Sequence, residues 1–223
     1  MAAEGAKLPR LVDVKGAGLV ILGQNSDATG ATIRINTNAE LGNGAGIVYV
    51  GAFSTIRFST VDLRQPGSYF AIDSFSTTTE LRASCFEGQG VSIGGESMFS
   101  NRIIIESSDH HAIYDLGTGE RINGGSGVHI GRHVWIGRDT RINKGAIVAD
   151  DCIIGQNSLV TGTHCADPHA IYAGIPARKI RANVTWSRMQ AESLSAMEAS
   201  VRHKAFLEKK TALAERIRER PSN

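Results

Sequence analysis

An all-β solenoid of short stacked strands, followed by a C-terminal α-helix, is the fold class the sequence predicts, and three observations carry it. Aliphatic residues recur at every sixth position, without a gap, from Ile130 through Ile136, Ile142, Val148 and Ile154 to Val160. The chain holds 25 glycines against an aromatic share of 6%, a balance that favours many tight turns over a large aromatic core. The stretch from Val184 to Arg220 contains neither glycine nor proline, and within it Leu194, Met197, Val201 and Ala205 are spaced by three and four residues, as one face of a helix would be.

Taken in chain order, the elements begin with two weaker six-residue series. Ile35, Leu41, Ile47 and Phe53 form one; Phe75, Leu81, Ile93, Phe99 and Ile105 form another, interrupted by Glu87. The series are out of phase, so residues 54–74 and 106–129 are expected to leave the stack and absorb the slip. In the strict series, Val128, Val134, Thr140, Ala146, Cys152 and Ser158 stand two residues before each aliphatic position and are all small or β-branched. A period of six is neither helical nor a plain alternation. It fits a short strand and a turn, repeated, with the aliphatic residue in a narrow core and the small one beside the bend. Cys152 is therefore expected to be a small interior residue and not a nucleophile. Each turn of such a stack buries its apolar edge only against its neighbours, so several turns and protected ends are needed. The expected organisation is a solenoid over residues 1–182 and a helical extension over 183–223 that caps or docks.

Composition narrows the functional classes. Hydrophobic residues make up 41% and charged residues 21% of the 223, ordinary for a soluble protein. No run approaches the roughly 18 apolar residues of a membrane-spanning helix. The opening MAAEGAKLPR lacks the layout of a secretory signal. Three cysteines, Cys85, Cys152 and Cys165, form no disulfide framework or paired metal motif, so a cytoplasmic location is expected. From Arg178 to Asn223 there are eleven Lys/Arg against five Asp/Glu, although the whole chain carries only +2. A basic tail on a mildly acidic body suits a polyanion, a peripheral membrane surface or a phosphorylated ligand. Nucleic acid is disfavoured because no aromatic platform accompanies the charges.

The segment SSDHHAIYD, residues 107 to 115, sets two histidines side by side after an aspartate. Adjacent side chains on a strand point to opposite faces, so the rings cannot share one role there. The hexads together with HVWIG and AGIPARKIR resemble the hexapeptide-repeat acyltransferases. The pattern SSDHHAIYD, GERIN, HVWIG, AGIPARKIR, VTW is most similar to the branch that O-acetylates sugars of surface polysaccharides. That resemblance covers residues 90–185 well and the N-terminal third loosely. It implies a left-handed parallel β-helix with three hexads per coil, against the usual right-handed crossover preference. It also implies a homotrimer with active sites between subunits, acetyl-coenzyme A lying in a groove there, and direct transfer without an acetyl-enzyme.

By the same resemblance His111 occupies the catalytic position and His110 that of a small residue, and His111 precedes Trp135 by 24 residues. A sugar hydroxyl is too weakly acidic to attack unaided, and an imidazole base contributes on the order of 10² to 10⁴ in rate. Trp135, Gly137 and Arg138 are implied beside the thioester, where a backbone N–H would donate to the developing oxyanion. Gln156 and Thr161 are implied along the cofactor groove. Arg178, Lys179 and Arg181 match the basic segment near the coenzyme phosphates. Asp109, Ser108 and Tyr114 are expected to meet the acceptor. No metal is expected, because His164, Cys165 and His169 make an incomplete ligand set. Three alternatives stand beside this reading. One is a xenobiotic or small-sugar O-acetyltransferase. The second is a zinc-dependent γ-type carbonic anhydrase-like protein using His129, His133 and His164 or His169. The third is a non-catalytic scaffold.

Overall fold

The structure is a computed structural model describing residues 1–37, 44–162 and 165–189 together with seven single positions between Glu198 and Ala212. Its strands stack into three parallel ladders that wind about one core. The first face carries Leu11–Gly16, Thr32–Thr37, Thr60–Arg64, Leu81–Cys85, Ile103–Glu106, Arg141–Ile142 and Leu159–Val160. The second carries Gly18–Leu22, Gly46–Val50, Tyr69–Ile72, Gly90–Ile93, Val128–Ile130 and Ile147–Val148. The third carries Thr55–Ile56, Thr77–Thr78, Met98–Phe99, Trp135–Ile136, Ile153–Ile154 and Ala170–Ala173, closed by Arg178–Ala182 running antiparallel to its neighbour. The chain therefore visits the three faces in rotation, and the expected all-β solenoid of stacked rungs is present.

Two coil lengths coexist. Ile130 pairs with Val148 and Ile142 with Val160, so coils in the strict hexad region span 18 residues. Higher in the stack Val61 pairs with Ala83 and Leu63 with Cys85, giving 22 residues, and Phe70 pairs with Val91, giving 21. The upper rungs are longer because their strands hold four to six residues on the first two faces, whereas the lower strands hold two or three. Residues 54–74, expected to be an excursion, instead supply all or part of three rungs: Thr55–Ile56, Thr60–Arg64 and Tyr69–Ile72. The six-residue spacing misreads the upper coils for the same reason. Ile47 is 42% exposed, and Phe53 and Phe75 sit at corners with φ of 58° and 63°. Their rings stack outside the core with centroids 5.3 Å apart. The interior there is built from Ile33, Ile35, Val48, Val50, Ile56, Val61, Leu63, Phe70 and Ile72, all buried. Leu41 lies outside the described residues.

In the lower region every expected interior position is buried, including Ile136, Ile142, Val148, Ile154 and Val160, and so are Val128, Val134, Thr140, Ala146, Cys152 and Ser158. Burial raises the Cys152 thiol to about 11, so it is a packed side chain and a poor nucleophile. The corner between the second and third faces is tied by a column of buried serines. The Ser54 hydroxyl accepts from Ser76 N, the Ser76 hydroxyl accepts from Ser97 N, and the Ser97 hydroxyl accepts from Val134 N. These hydroxyls satisfy amide groups that the turning backbone would otherwise bury unpaired.

Residues 107–127 do leave the stack, between Ile103–Glu106 on the first face and Val128–Ile130 on the second. After Ala182 the chain turns back along the second-to-third corner. Trp186, 8% exposed, donates its indole N–H to His133 O at 2.7 Å and stacks on the His133 ring at 4.3 Å. The Arg188 guanidinium reaches Phe75 O, Glu96 O, Ser97 O and the Thr77 hydroxyl, and burial lowers it to about 10. Beyond it, the seven described positions are helical. Val201 and Ala205 of the expected apolar helix face are exposed, while Leu194 and Met197 lie outside the described residues.

Candidate active site

The loop that carries His111 is held by two clamps. In the first, Glu87 occupies a corner with φ of 58°. Its carboxylate accepts from both Arg121 terminal nitrogens at 2.8 and 2.9 Å, from the Ser108 hydroxyl at 2.5 Å and from Gly125 N at 3.1 Å. The Arg121 guanidinium is the largest influence on that carboxyl, which is held down at about 2. In the second clamp the Asn123 amide donates to His111 O at 2.8 Å and Asp109 Oδ2 at 2.9 Å, and its oxygen accepts from Ile113 N at 2.7 Å. Lys144 bridges Asp109 and Asn123 O and holds the aspartate below its ordinary range.

Both clamps grip backbone on either side of the histidines, and each histidine leaves in a different direction. His110, with φ of 65°, packs edge-on against Phe86 at 4.1 Å and places Nε2 3.6 Å from Glu106. His111 is exposed and lines a pocket with Arg64, Arg82, Ser84, Phe86 and His110. That pocket lies on the outer surface of the first face, at the edge next to the second. Ser108, expected to bind acceptor, is buried with its hydroxyl committed to Glu87 and to His110 N. It shapes the loop instead. Asp109 is likewise braced by Lys144 and Asn123. Tyr114 is 60% exposed and pairs with Arg121 across a small hairpin.

Trp135, Gly137, Arg138 and Gln156 come together with Ser100, Asn101, Ile153, Ile154 and Gly155 around a groove at the corner between the third and first faces. The Trp135 and Gly137 N–H groups are consumed by the ladder, donating to Cys152 O and Ile154 O. Among the described residues the Arg138 N–H has no such partner, so it is the donor left for an oxyanion. A Cβ on Gly137 would stand 2.6 Å from Gln156 N, so close packing of coils, and not only ligand space, requires glycine there. Trp135, 39% exposed, leans on Trp186 with ring centroids 6.0 Å apart, a support that sequence reasoning did not anticipate. Arg178 pairs with Ala173 one coil below the groove. Lys179 is tied to Asp167 at 2.7 Å, which raises it, and Arg181 is exposed. Thr161 does not join this groove. It follows Leu159–Val160 and so lies at the opposite edge of the first face.

Within one chain, then, His111 and the groove flank the first face at opposite ends of its strands. At roughly 3.3 Å per residue a four-residue strand separates them by about 13 Å. Of the histidines considered as metal ligands, His129 bonds the Ser92 hydroxyl on the second face and His133 bonds Asp151 at a corner. His164 lies outside the described residues, and no metal-like cluster occurs among those described.

The class these features define is the hexapeptide-repeat β-helix. Residues 127–162 match the bacterial transferase hexapeptide (six repeats) family, and this segment belongs to it. Similar proteins of known kind sharpen the picture. The polysialic acid O-acetyltransferase of Escherichia coli O1:K1 / APEC is 36% identical over 107 residues, 47% of this chain and 33% of that protein. The Neisseria meningitidis enzyme of the same name is 49% identical over 55 residues, 25% of this chain and 26% of its own. Galactoside O-acetyltransferase of Escherichia coli (strain K12) is 32% identical over 94 residues, covering 41% of this chain and 43% of that protein. The matches thus span between a quarter and under half of these relatives' lengths. The crystal structure of the polysialic acid O-acetyltransferase OatWY superposes with a TM-score of 0.72 at 23% identity over 89% of this chain and 95% of the other. That of the polysialic acid-specific acetyltransferase NeuO gives 0.61 at 24% over 89% and 97%. At such identities the superpositions establish the fold.

Proposed function

We propose that the chain is an O-acetyltransferase that moves an acetyl group from acetyl-coenzyme A to a sugar hydroxyl of a polysaccharide or its precursor, with His111 as general base. The observation that carries this reading is the doubly clamped loop, which fixes the His111 backbone and leaves its ring in a pocket. The similarity to O-acetyltransferases supports the reaction type.

In this reading the acceptor hydroxyl gives its proton to the His111 imidazole as its oxygen attacks the thioester carbon, and the thiolate of coenzyme A departs. The Arg138 N–H receives the developing negative charge on the carbonyl oxygen. Groups preorganised in this way do not have to reorient during reaction. Trp135 walls the thioester, and Arg178 at the lower end of the groove meets the phosphates. Because the base and the groove lie at opposite edges of one face, the site is completed when the groove edge of one protomer meets the His111 edge of another. A closed ring of three copies repeats that heterologous contact three times. Thiol release from acetyl-coenzyme A over a panel of sugars and capsular oligosaccharides tests the reading. Acceptor-dependent release that His111→Ala abolishes is expected; release unaffected by His111→Ala, or no release with any sugar, overturns it.

A further inference from the structure

The pocket beside His111 contains two arginines that the fold does not use. Arg34 is paired with Asp62, Arg102 with Asp139, Arg121 with Glu87 and Arg132 with Glu96. Arg64 and Arg82 are both exposed, and among the described residues neither guanidinium makes a hydrogen bond or ion pair. Both line the same pocket as Ser84, Phe86, His110 and His111.

Their placement follows from the register. Arg64 ends one first-face strand, and Arg82 lies in the next, two residues before Ser84, which stands level with Asp62 above and Glu106 below. Both carboxylates are already engaged: Asp62, buried, lies 3.4 Å from Arg34, and Glu106 lies 3.6 Å from His110. The Arg64 guanidinium carbon sits 4.9 Å from the Phe86 ring centroid, and the His110 edge packs against that same ring. A guanidinium stacked by its face keeps its N–H edge free, in the fork geometry that matches a carboxylate with two parallel bonds. Stacking also removes rotamer freedom before any ligand arrives, which lowers the cost of binding. The arrangement is an oriented cation next to the proposed base, with a second cation beside it.

We infer that Arg64 and Arg82 form a carboxylate-binding subsite, so the sugar unit presented to His111 is an acidic one, carrying a carboxylate near the hydroxyl to be acetylated. This rests on the proposed function for the role of His111. The phosphates of acetyl-coenzyme A do not explain the subsite, because they lie a whole pantetheine arm from the thioester, whereas this pocket includes the base itself. Phe86 and His110 act by holding Arg64 in position.

The test pairs a carboxylate-bearing oligosaccharide with the same oligosaccharide reduced at its carboxyls to the alcohol, using the full chain. Arg64→Gln and Arg82→Gln should each lower kcat/KM for the acidic acceptor by on the order of 10-fold or more, as expected for a lost charge-assisted bond. The KM for acetyl-coenzyme A should stay unchanged, and the preference for the acidic over the reduced acceptor should disappear. Arg64→Lys should recover only part, since a point charge lacks the fork. Calorimetric binding of the acidic oligosaccharide without acetyl-coenzyme A separates the two proposals. Binding that needs both arginines, with no transfer, would retain the subsite and defeat the transferase reading. Efficient transfer to the reduced acceptor, indifferent to both substitutions, would retain the transferase and defeat the subsite.

Discussion

The upper coils and the lower coils are two solutions to one problem. Above Glu106 a coil takes 21 or 22 residues and its first- and second-face strands run to four residues or more; below Val128 a coil takes 18 and its strands shrink to two or three. Long strands bury two side chains per rung, as with Ile33 and Ile35 or Phe70 and Ile72, whereas short ones bury a single aliphatic residue such as Ile142. The candidate site lies where the two regimes meet. Arg64, Arg82, Phe86 and Glu87 come from the wide coils, Trp135, Gly137 and Gln156 from the narrow ones, and the His111 loop is inserted at the junction. A change of coil size leaves the stacked edges out of line, and that step is where a pocket can form.

The comparison can be broken at several points. The largest effect is expected at the loop itself: His111→Ala should lower kcat by on the order of 10² to 10⁴ with thermal unfolding unchanged, and His110→Ala should cost far less, both read by coupled thiol release. Equal losses would mean that the two histidines are not divided in role as their directions indicate. Next, Phe70→Ala in the wide region should destabilise by about 3 to 5 kcal/mol and Ile142→Ala in the narrow region by about 2 to 5, measured by denaturant titration. If both unfold as one transition, the two regimes share one cooperative core. Third, Glu87→Gln should loosen residues 107–127, speeding their hydrogen exchange and lowering kcat about tenfold, as expected for a charged hydrogen bond lost, without moving exchange in the strict hexads. The same clamp has a pH signature. The Glu87 carboxyl is lowered from 4.5 to about 2, so its contribution is complete above about 4.5 and is lost as pH falls from there through about 2. Loop protection should fail in that window. Smallest, Trp186→Phe should raise the KM for acetyl-coenzyme A by roughly twofold to fivefold, a shift below 1 kcal/mol, and leave the acceptor KM alone. Since the chain has two tryptophans, this variant also isolates Trp135 as the fluorescence reporter of groove occupancy.

What could be read beforehand follows the same division. The strict hexads were legible because a strand of two residues plus a corner is one constant unit, and each unit prints an aliphatic residue at the same place. In the wide coils the strand length varies from face to face, so no fixed spacing survives; Phe53 and Phe75 mimicked core positions while standing at corners. The histidine loop was legible as a break in the repeat, and through resemblance as the place of a base. Its clamps were not, because Glu87 and Arg121 are 34 residues apart in sequence and meet only through the winding. One trace did exist: Glu87 was the single charged residue in an otherwise apolar series. The tail could be read as helical, but nothing in its pattern announced that Trp186 would buttress Trp135.

Glu87, Glu96, Arg102, His110, His133 and Asp139 all sit at corners with φ between 55° and 65°, a conformation costing a side-chain-bearing residue about 1 kcal/mol or more that glycine would not pay. A chain drifting under selection for robustness alone would replace them with glycine and become hardier. That these vertices keep bulky polar groups makes them a register of where robustness has been surrendered, and a thermostability screen that swept them to glycine would silence the molecule as it toughened it.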